Sequence, residues 1–183
     1  MPKMTTFFIR DTVRALNNEA RVVTEIDLGA FTNLGTTKPQ LLRIHSIQIQ
    51  YADDNGGVPN VKEADDTLPG MANSAFAVAS LTTKPTLLAS PYMPMLHEDE
   101  TVFTSAIVST NSNDVADQGI TSSATDLAPQ HLVNGYLIGV DRLYLYGRAD
   151  DNWSEEVNIN ICMECSVEGI DREDAVSLAL SQQ

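Results

Sequence analysis

The stretch EVNINICMECSVEG, residues 156–169, decides the fold class. Read with a period of two, one set of alternate positions is apolar and the other is almost wholly polar. Successive side chains of a strand point to opposite faces, so this alternation predicts a strand with one buried and one wet face. The expected buried positions are Val157, Ile159, Ile161, Met163, Cys165 and Val167.

The two cysteines of the chain, Cys162 and Cys165, stand in this stretch as C-x-x-C. Three positions apart on a strand, they point to opposite faces, so they can neither share one metal nor form a disulfide. A zinc site also needs two further ligands, and the sequence holds no second C-x-x-C or H-x-x-x-H motif. We therefore expect Cys165 in the core and Cys162 on the outer face, as a candidate contact with a neighbouring subunit.

Several other segments have the composition of strands, and no sustained helical period separates them. This pattern excludes alternating α/β folds and predicts an all-β protein: a single jelly roll or antiparallel β-sandwich of seven to eight strands. The expected strands are 21–28, 41–52, 74–83, 101–109, 135–149 and 156–168, with a short edge strand within 86–96.

Two of these strands carry additional signals. The two halves of 41–52 are out of phase, which predicts a β-bulge near His45. The end of 135–149 is apolar on both faces, so we expect it to be covered on both sides. This makes Tyr144 and Tyr146 candidate interface residues.

The two ends of the chain differ from its middle. We expect an N-terminal arm over 1–19, with a short helical or irregular stretch at 11–20, and a sandwich over 20–170. The sequence of residues 171–183 predicts a C-terminal helix or tail. Its expected N-cap is Asp171, and its expected apolar side is Val176, Leu178, Ala179 and Leu180. Two long loops, 52–73 and 109–135, complete this outline.

The charge balance is strongly acidic, with 25 Asp and Glu against 11 Lys and Arg, for a net charge of −14. Direct nucleic-acid binding and docking on an anionic membrane both need clustered basic residues, so we expect neither. Acid excess with few lysines is typical of proteins that work in high salt, where repulsion is screened. We expect no transmembrane insertion and no signal peptide, because no apolar run is long enough for either.

The sequence contains no nucleophile elbow, P-loop or dinucleotide fingerprint, so we expect neither an enzyme nor a cofactor. Oxygen-rich loops at 53–57 and 150–156 are candidate calcium sites. Trp153, in the second loop, is a candidate for stacking on a sugar, for an interface or for a buried loop anchor. The four calcium candidates are Asp53, Asp54, Asp150 and Asp151.

In architecture, size and charge, residues 20–168 resemble the single jelly-roll major capsid proteins of tailless icosahedral haloarchaeal viruses, the sphaerolipovirus type. The resemblance implies a structural subunit of the virion shell that packs laterally into capsomers. Its implied partners are copies of itself and a second capsid protein, and it implies a position near an internal viral membrane. The alternative from the residues is a β-sandwich module that binds carbohydrate or a cell-surface ligand.

Overall fold

Nine β-strands and one α-helix form the fold in a computed structural model that describes residues 5–62, 72–112 and 120–182. The predicted all-β class is therefore confirmed. The elements are β1 (Phe7–Ala15), β2 (Val22–Asp27), β3 (Gln40–Ala52), β4 (Ala72–Thr82), β5 (Thr101–Ser112), β6 (Ile120–Leu127), β7 (Tyr136–Ile138), β8 (Arg142–Ala149), β9 (Val157–Gly169) and α1 (Arg172–Ser181).

The strands form two antiparallel sheets. One sheet has four strands in the order β1-β9-β3-β7, and the other has five in the order β2-β8-β4-β5-β6. Without β6, which pairs with β5, the first of the eight strands neighbours the last, the second the seventh, the third the sixth and the fourth the fifth. This nested pairing is the jelly roll, as predicted.

The opening stretch forms β9, in the interior of the four-stranded sheet. Its predicted inner positions from Val157 to Cys165 are buried, and they face the core between the two sheets. The alternation ends at Val167, which is 37% exposed. Burial raises the pKa of the Cys165 thiol to about 12, so this residue stays protonated and packs as a small apolar side chain.

The β-bulge predicted near His45 is present in β3. The register between β3 and β9 shifts between Ile44 and Ser46, leaving His45 without a strand partner. Its Nε2 atom lies 2.8 Å from the hydroxyl of Ser166, on the outer face of the sheet. The bulge lets both halves of β3 bury their apolar residues in one core.

The edges of the sheets differ from the sequence prediction. Residues 7–15, expected in an arm with a helical or irregular stretch, form β1 at one edge of the four-stranded sheet. The part of the expected loop 109–135 that begins at Ile120 forms β6. Asp11 breaks the apolar alternation of β1 and small polar residues fill β6, so neither strand has a strong local signal.

Two further strand predictions were wrong. The single strand expected over 135–149 is two strands, β7 and β8, which lie in different sheets. The edge strand expected within 86–96 is an irregular segment with turns. Parts of the two expected long loops, at 63–71 and 113–119, lie outside the described residues.

Helix α1 follows Asp171, as predicted, and docks on its own sandwich. The amide of Gln182 donates to the carbonyl of Leu137 at 2.8 Å and accepts from the N–H of Gly139 at 2.7 Å. The predicted apolar side is only partly buried, because Val176 and Leu180 are exposed. Among the described residues, no helix is long and apolar enough to cross a membrane.

Candidate assembly surface

The connection between β4 and β5, residues 83–100, is held against β2 at the edge of the five-stranded sheet. The guanidinium of Arg21 donates to the carbonyl oxygens of Leu88 at 2.7 Å and Tyr92 at 2.6 Å. The N–H of Arg21 donates to the hydroxyl of Ser90 at 3.1 Å. These bonds hold an irregular segment along the edge of a rigid sheet.

This connection exposes several large apolar side chains. The connection has no charged residue between Lys84 and His97. Within it, Leu87 is fully exposed and Tyr92 is 61% exposed. Large apolar patches on a soluble protein mark contacts with other molecules. We call this set the apolar surface; its residues are Leu87, Leu88, Tyr92, Met95 and Leu96.

The tyrosines predicted as interface residues lie on the same face of the five-stranded sheet. Tyr146 is buried, because its hydroxyl accepts the N–H of Thr86 at 2.9 Å and Arg21 lies over its ring. Tyr144 is half-buried. The cover expected on this face therefore comes in part from the connection itself, and contact of Tyr144 with a neighbour stays a prediction.

Cys162 lies on the outer face of the four-stranded sheet, as expected from its position on β9. It lies in a shallow groove of about 640 Å³ that crosses β1, β9 and β3. The side chains of Gln48, Gln50 and Asn160 line this groove and make no hydrogen bond to another described residue. Within the described residues the groove therefore presents amide groups without hydrogen-bond partners, and contact of Cys162 with a neighbour stays a prediction.

Trp153, a candidate for sugar stacking, for an interface or for a buried loop anchor, is completely buried. Its indole N–H donates to the carbonyl of Phe76 at 2.8 Å, and its backbone forms a bridge with Val61. The backbone of Ser154 bonds to Asn60 at 2.8 Å. Trp153 is therefore a core residue that joins the β8–β9 loop to the chain after β3, and it is not available to a ligand.

The predicted calcium residues are separated into two groups. Asp53 closes its own turn by accepting the N–H groups of Asn55 and Gly57. Asp54 pairs with Arg14 at 3.1 Å and accepts from Asn158 at 2.9 Å. Asp53 and Asp54, which form the first group, therefore both have partners within the chain. Calcium binding stays an untested prediction.

Asp150 and Asp151 form the second group, together with Glu19. One carboxylate oxygen from each of the three lies within 4.8 Å of the others. Burial raises the pKa of Asp150, and the neighbouring charges of Asp151 and Glu19 raise it further. Arg148 partly offsets this repulsion, with its Nη2 atom 3.1 Å from Glu19.

We expect Asp150→Asn to stabilise the protein at pH 7 by about 0.5 kcal/mol. Asparagine keeps the acceptor for the N–H of Asn152 and removes the repulsion. A carboxyl whose pKa is raised on folding destabilises the folded state above that pKa, and this cost disappears as the pH falls below the unfolded value of about 3.9. Urea unfolding at pH 7 and at pH 3 measures how much Asp150→Asn stabilises the protein at each pH. Equal stabilisation at both pH values contradicts the explanation by the raised pKa of Asp150.

No protein-family model and no curated protein sequence matches the chain. Among solved structures it is similar to VP1 of Trichodysplasia spinulosa-associated polyomavirus in complex with sialylated precision glycooligomers. The TM-score is 0.48 at 10% identity, over 93% of this chain and 96% of that chain. For apo New Jersey polyomavirus VP1 the TM-score is 0.42 at 7% identity, over 91% and 100% of the two chains. The jelly-roll assignment rests on the order of the strands.

Sequence reasoning missed the apolar surface because it assigned 86–96 to an edge strand. A signal was present: the segment is apolar and uncharged, yet Pro91 and Pro94 prevent it from forming a regular strand. An apolar segment that cannot enter a sheet lies on the surface unless another element covers it.

Proposed function

We propose that this protein is a structural subunit of an icosahedral viral capsid, and that it packs laterally with copies of itself. The observation that carries the proposal is the apolar surface over residues 87–96, which leaves five large apolar side chains exposed on a jelly-roll sandwich. Jelly rolls are a common architecture of viral capsid and lectin domains. A contact between copies covers these apolar side chains, which otherwise face water on an acidic protein.

The finer parts of the proposal come from charge and resemblance. The capsid is that of a haloarchaeal, sphaerolipovirus-type virus, and molar salt screens the repulsion between copies that each carry −14. A second capsid protein joins the shell, which lies near an internal membrane without insertion of this chain. The subunit neither catalyses a reaction nor binds nucleic acid directly.

Light scattering after size-exclusion chromatography, in molar salt and in dilute buffer, tests this function. We expect a discrete oligomer in molar salt that dissociates on dilution of the salt. The double variant Leu87→Ser, Tyr92→Ser should weaken self-association at least tenfold, since each buried side chain of this size contributes about 1.5–3 kcal/mol. A wild-type protein that is monomeric at every salt concentration contradicts the proposal.

Val133→Ser is the matched control. Val133 is fully exposed and lies in the connection between β6 and β7, beside Arg43 and Glu168 of the four-stranded sheet, whereas residues 88–92 lie beside β2 of the other sheet. We expect this variant to assemble as the wild type does. Equal weakening by both changes would show that total apolar area matters, rather than the apolar surface.

A carbohydrate-binding module is the second candidate function, and the groove around Cys162 favours it. Free amides of Gln48, Gln50 and Asn160 can bond to sugar hydroxyls, and Phe8 lies exposed on the same face. A glycan array with the wild type and with Gln50→Ala tests this reading. If the wild type binds a glycan and stays monomeric, and Gln50→Ala loses this binding, the result selects carbohydrate binding over the capsid subunit.

A further inference from the structure

We infer that the free edge of β6 is an assembly contact, at which β6 pairs antiparallel with β6 of a second copy. The inference rests on the proposed function and names one of its contacts. An open strand edge presents unpaired N–H and C=O groups and can accept a strand from another chain. Among the sheet edges that the structure describes, β6 is the most open.

Each of the other edges has partners within the chain. The free carbonyl of Thr12 on β1 accepts the hydroxyl of Thr24 on β2 at 3.3 Å, and β1 also carries Arg10, Asp11 and Arg14. Beside β2, the N–H of Arg21 donates to Ser90, as described above. The β1–β2 side of the sandwich therefore has a bond between its two edge strands, a connection bound beside β2, and charged side chains on β2 as well, at Glu25 and Asp27.

The opposite edge of the four-stranded sheet is also protected. Strand β7 has three residues, and Gln182 of the C-terminal segment donates to its Leu137 carbonyl. Beyond β7, the amide of Gln130 accepts the N–H of Ile47 at 2.9 Å and donates to the carbonyl of Ile47 at 3.0 Å. A side chain thus occupies the place that a neighbouring strand would take.

Strand β6 has no such protection among the described residues. It pairs with β5 on one side, and no other described element bonds to its backbone on the other side. Residues 121–125 are exposed on both faces of the sheet. The run Ile-Thr-Ser-Ser-Ala-Thr, 120–125, carries no charge, proline or bulky side chain that would block an approaching strand.

A second copy is the partner that these properties fit. Two chains that each carry −14 can approach most closely where neither presents a charge, and 120–125 is such a stretch. Antiparallel pairing of a strand with itself places the same surface on both sides of a two-fold axis, so the uncharged stretch 120–125 supplies both halves of the contact, and Asp126 lies beyond it near the end of the strand. The two five-stranded sheets then form one ten-stranded sheet.

Hydrogen exchange measured by mass spectrometry on the whole protein tests this pairing. In molar salt, amides in peptides covering 120–127 should exchange at least tenfold more slowly than in the dissociated protein. Ser123→Lys adds a charge to the open edge and should weaken self-association at least tenfold. The matched control Thr12→Lys places the same charge on β1, an edge that already carries charges, and should assemble within twofold of the wild type.

Cysteine cross-linking identifies the partner strand. In a Cys162→Ser background, Ser122→Cys, Ser123→Cys and Ala124→Cys sample the middle of β6, where the two copies of one residue meet near the axis. At least one variant should form a covalent dimer under mild oxidation. An oligomer without slowed exchange at 120–127, or slowed exchange without any covalent dimer, overturns the β6–β6 pairing and leaves the capsid function standing. A wild type that never self-associates overturns both.

Discussion

Trp153→Ala should lower the free energy of unfolding by about 4 kcal/mol, the largest effect that we expect from a side-chain truncation here. The indole is completely buried and is one of the largest side chains in the core. Its removal leaves a cavity at the point where the β8–β9 loop meets the chain after β3. Urea unfolding should show the loss, together with a fall in melting temperature of about 10 °C.

Trp153→Phe separates the contribution of the indole hydrogen bond from the contribution of the side-chain volume. The carbonyl of Phe76, which accepts the indole N–H, also accepts the N–H of Asp150 at 2.9 Å, so the variant leaves it partnered. We therefore expect a smaller loss of about 1–2 kcal/mol for phenylalanine. A loss below 1 kcal/mol for Trp153→Ala would contradict the buried position of Trp153.

Gly135→Ala should destabilise the protein by about 3 kcal/mol. Gly135 has a φ of +66°, in the left-handed region that side chains avoid, and a Cβ there would lie 2.3 Å from the carbonyl oxygen of Ile44. That oxygen belongs to the backbone of β3 beside the bulge, so it cannot move without disturbing the sheet. Thermal and urea unfolding of the purified variant measure the effect.

Gly56→Ala is the matched control for this substitution. Gly56 has a similar φ of +84°, but a Cβ at this position meets nothing within 4 Å. The control should therefore show the conformational cost alone, about 1 kcal/mol. Equal losses in the two variants would mean that contact with Ile44 contributes nothing.

The strands with strong local patterns were predicted correctly, and the reason is visible in β9 and β3. Both are long strands with alternating apolar residues, interrupted in β3 by one change of phase, so a period of two is enough to identify them. Even the bulge at His45 follows from the phase change between the two halves of β3. The C-terminal helix was also predicted from local signals, namely Asp171 and the acidic first turn.

The errors lie where the assignment depends on residues distant in sequence. Residues 135–149 were predicted as one long strand, and only pairing with β3 on one side and β4 on the other divides them between two sheets. For Trp153 the sequence left sugar stacking, an interface and a buried loop anchor open, and its contacts with Val61 and Phe76 select the buried anchor. Strand β6 has little apolar patterning and is formed by its pairing with β5.

The sequence by itself determined the all-β class, the buried and wet faces of β9, the separation of the two cysteines and the acidic surface. These properties depend on alternation and composition, which are local. Only the tertiary structure decided the order of the strands, the burial of Trp153, the exposure of residues 87–96 and the edge of β6 that no other described element covers. Those properties depend on which distant segments meet, because a side chain or strand edge is covered only when another part of the chain reaches it.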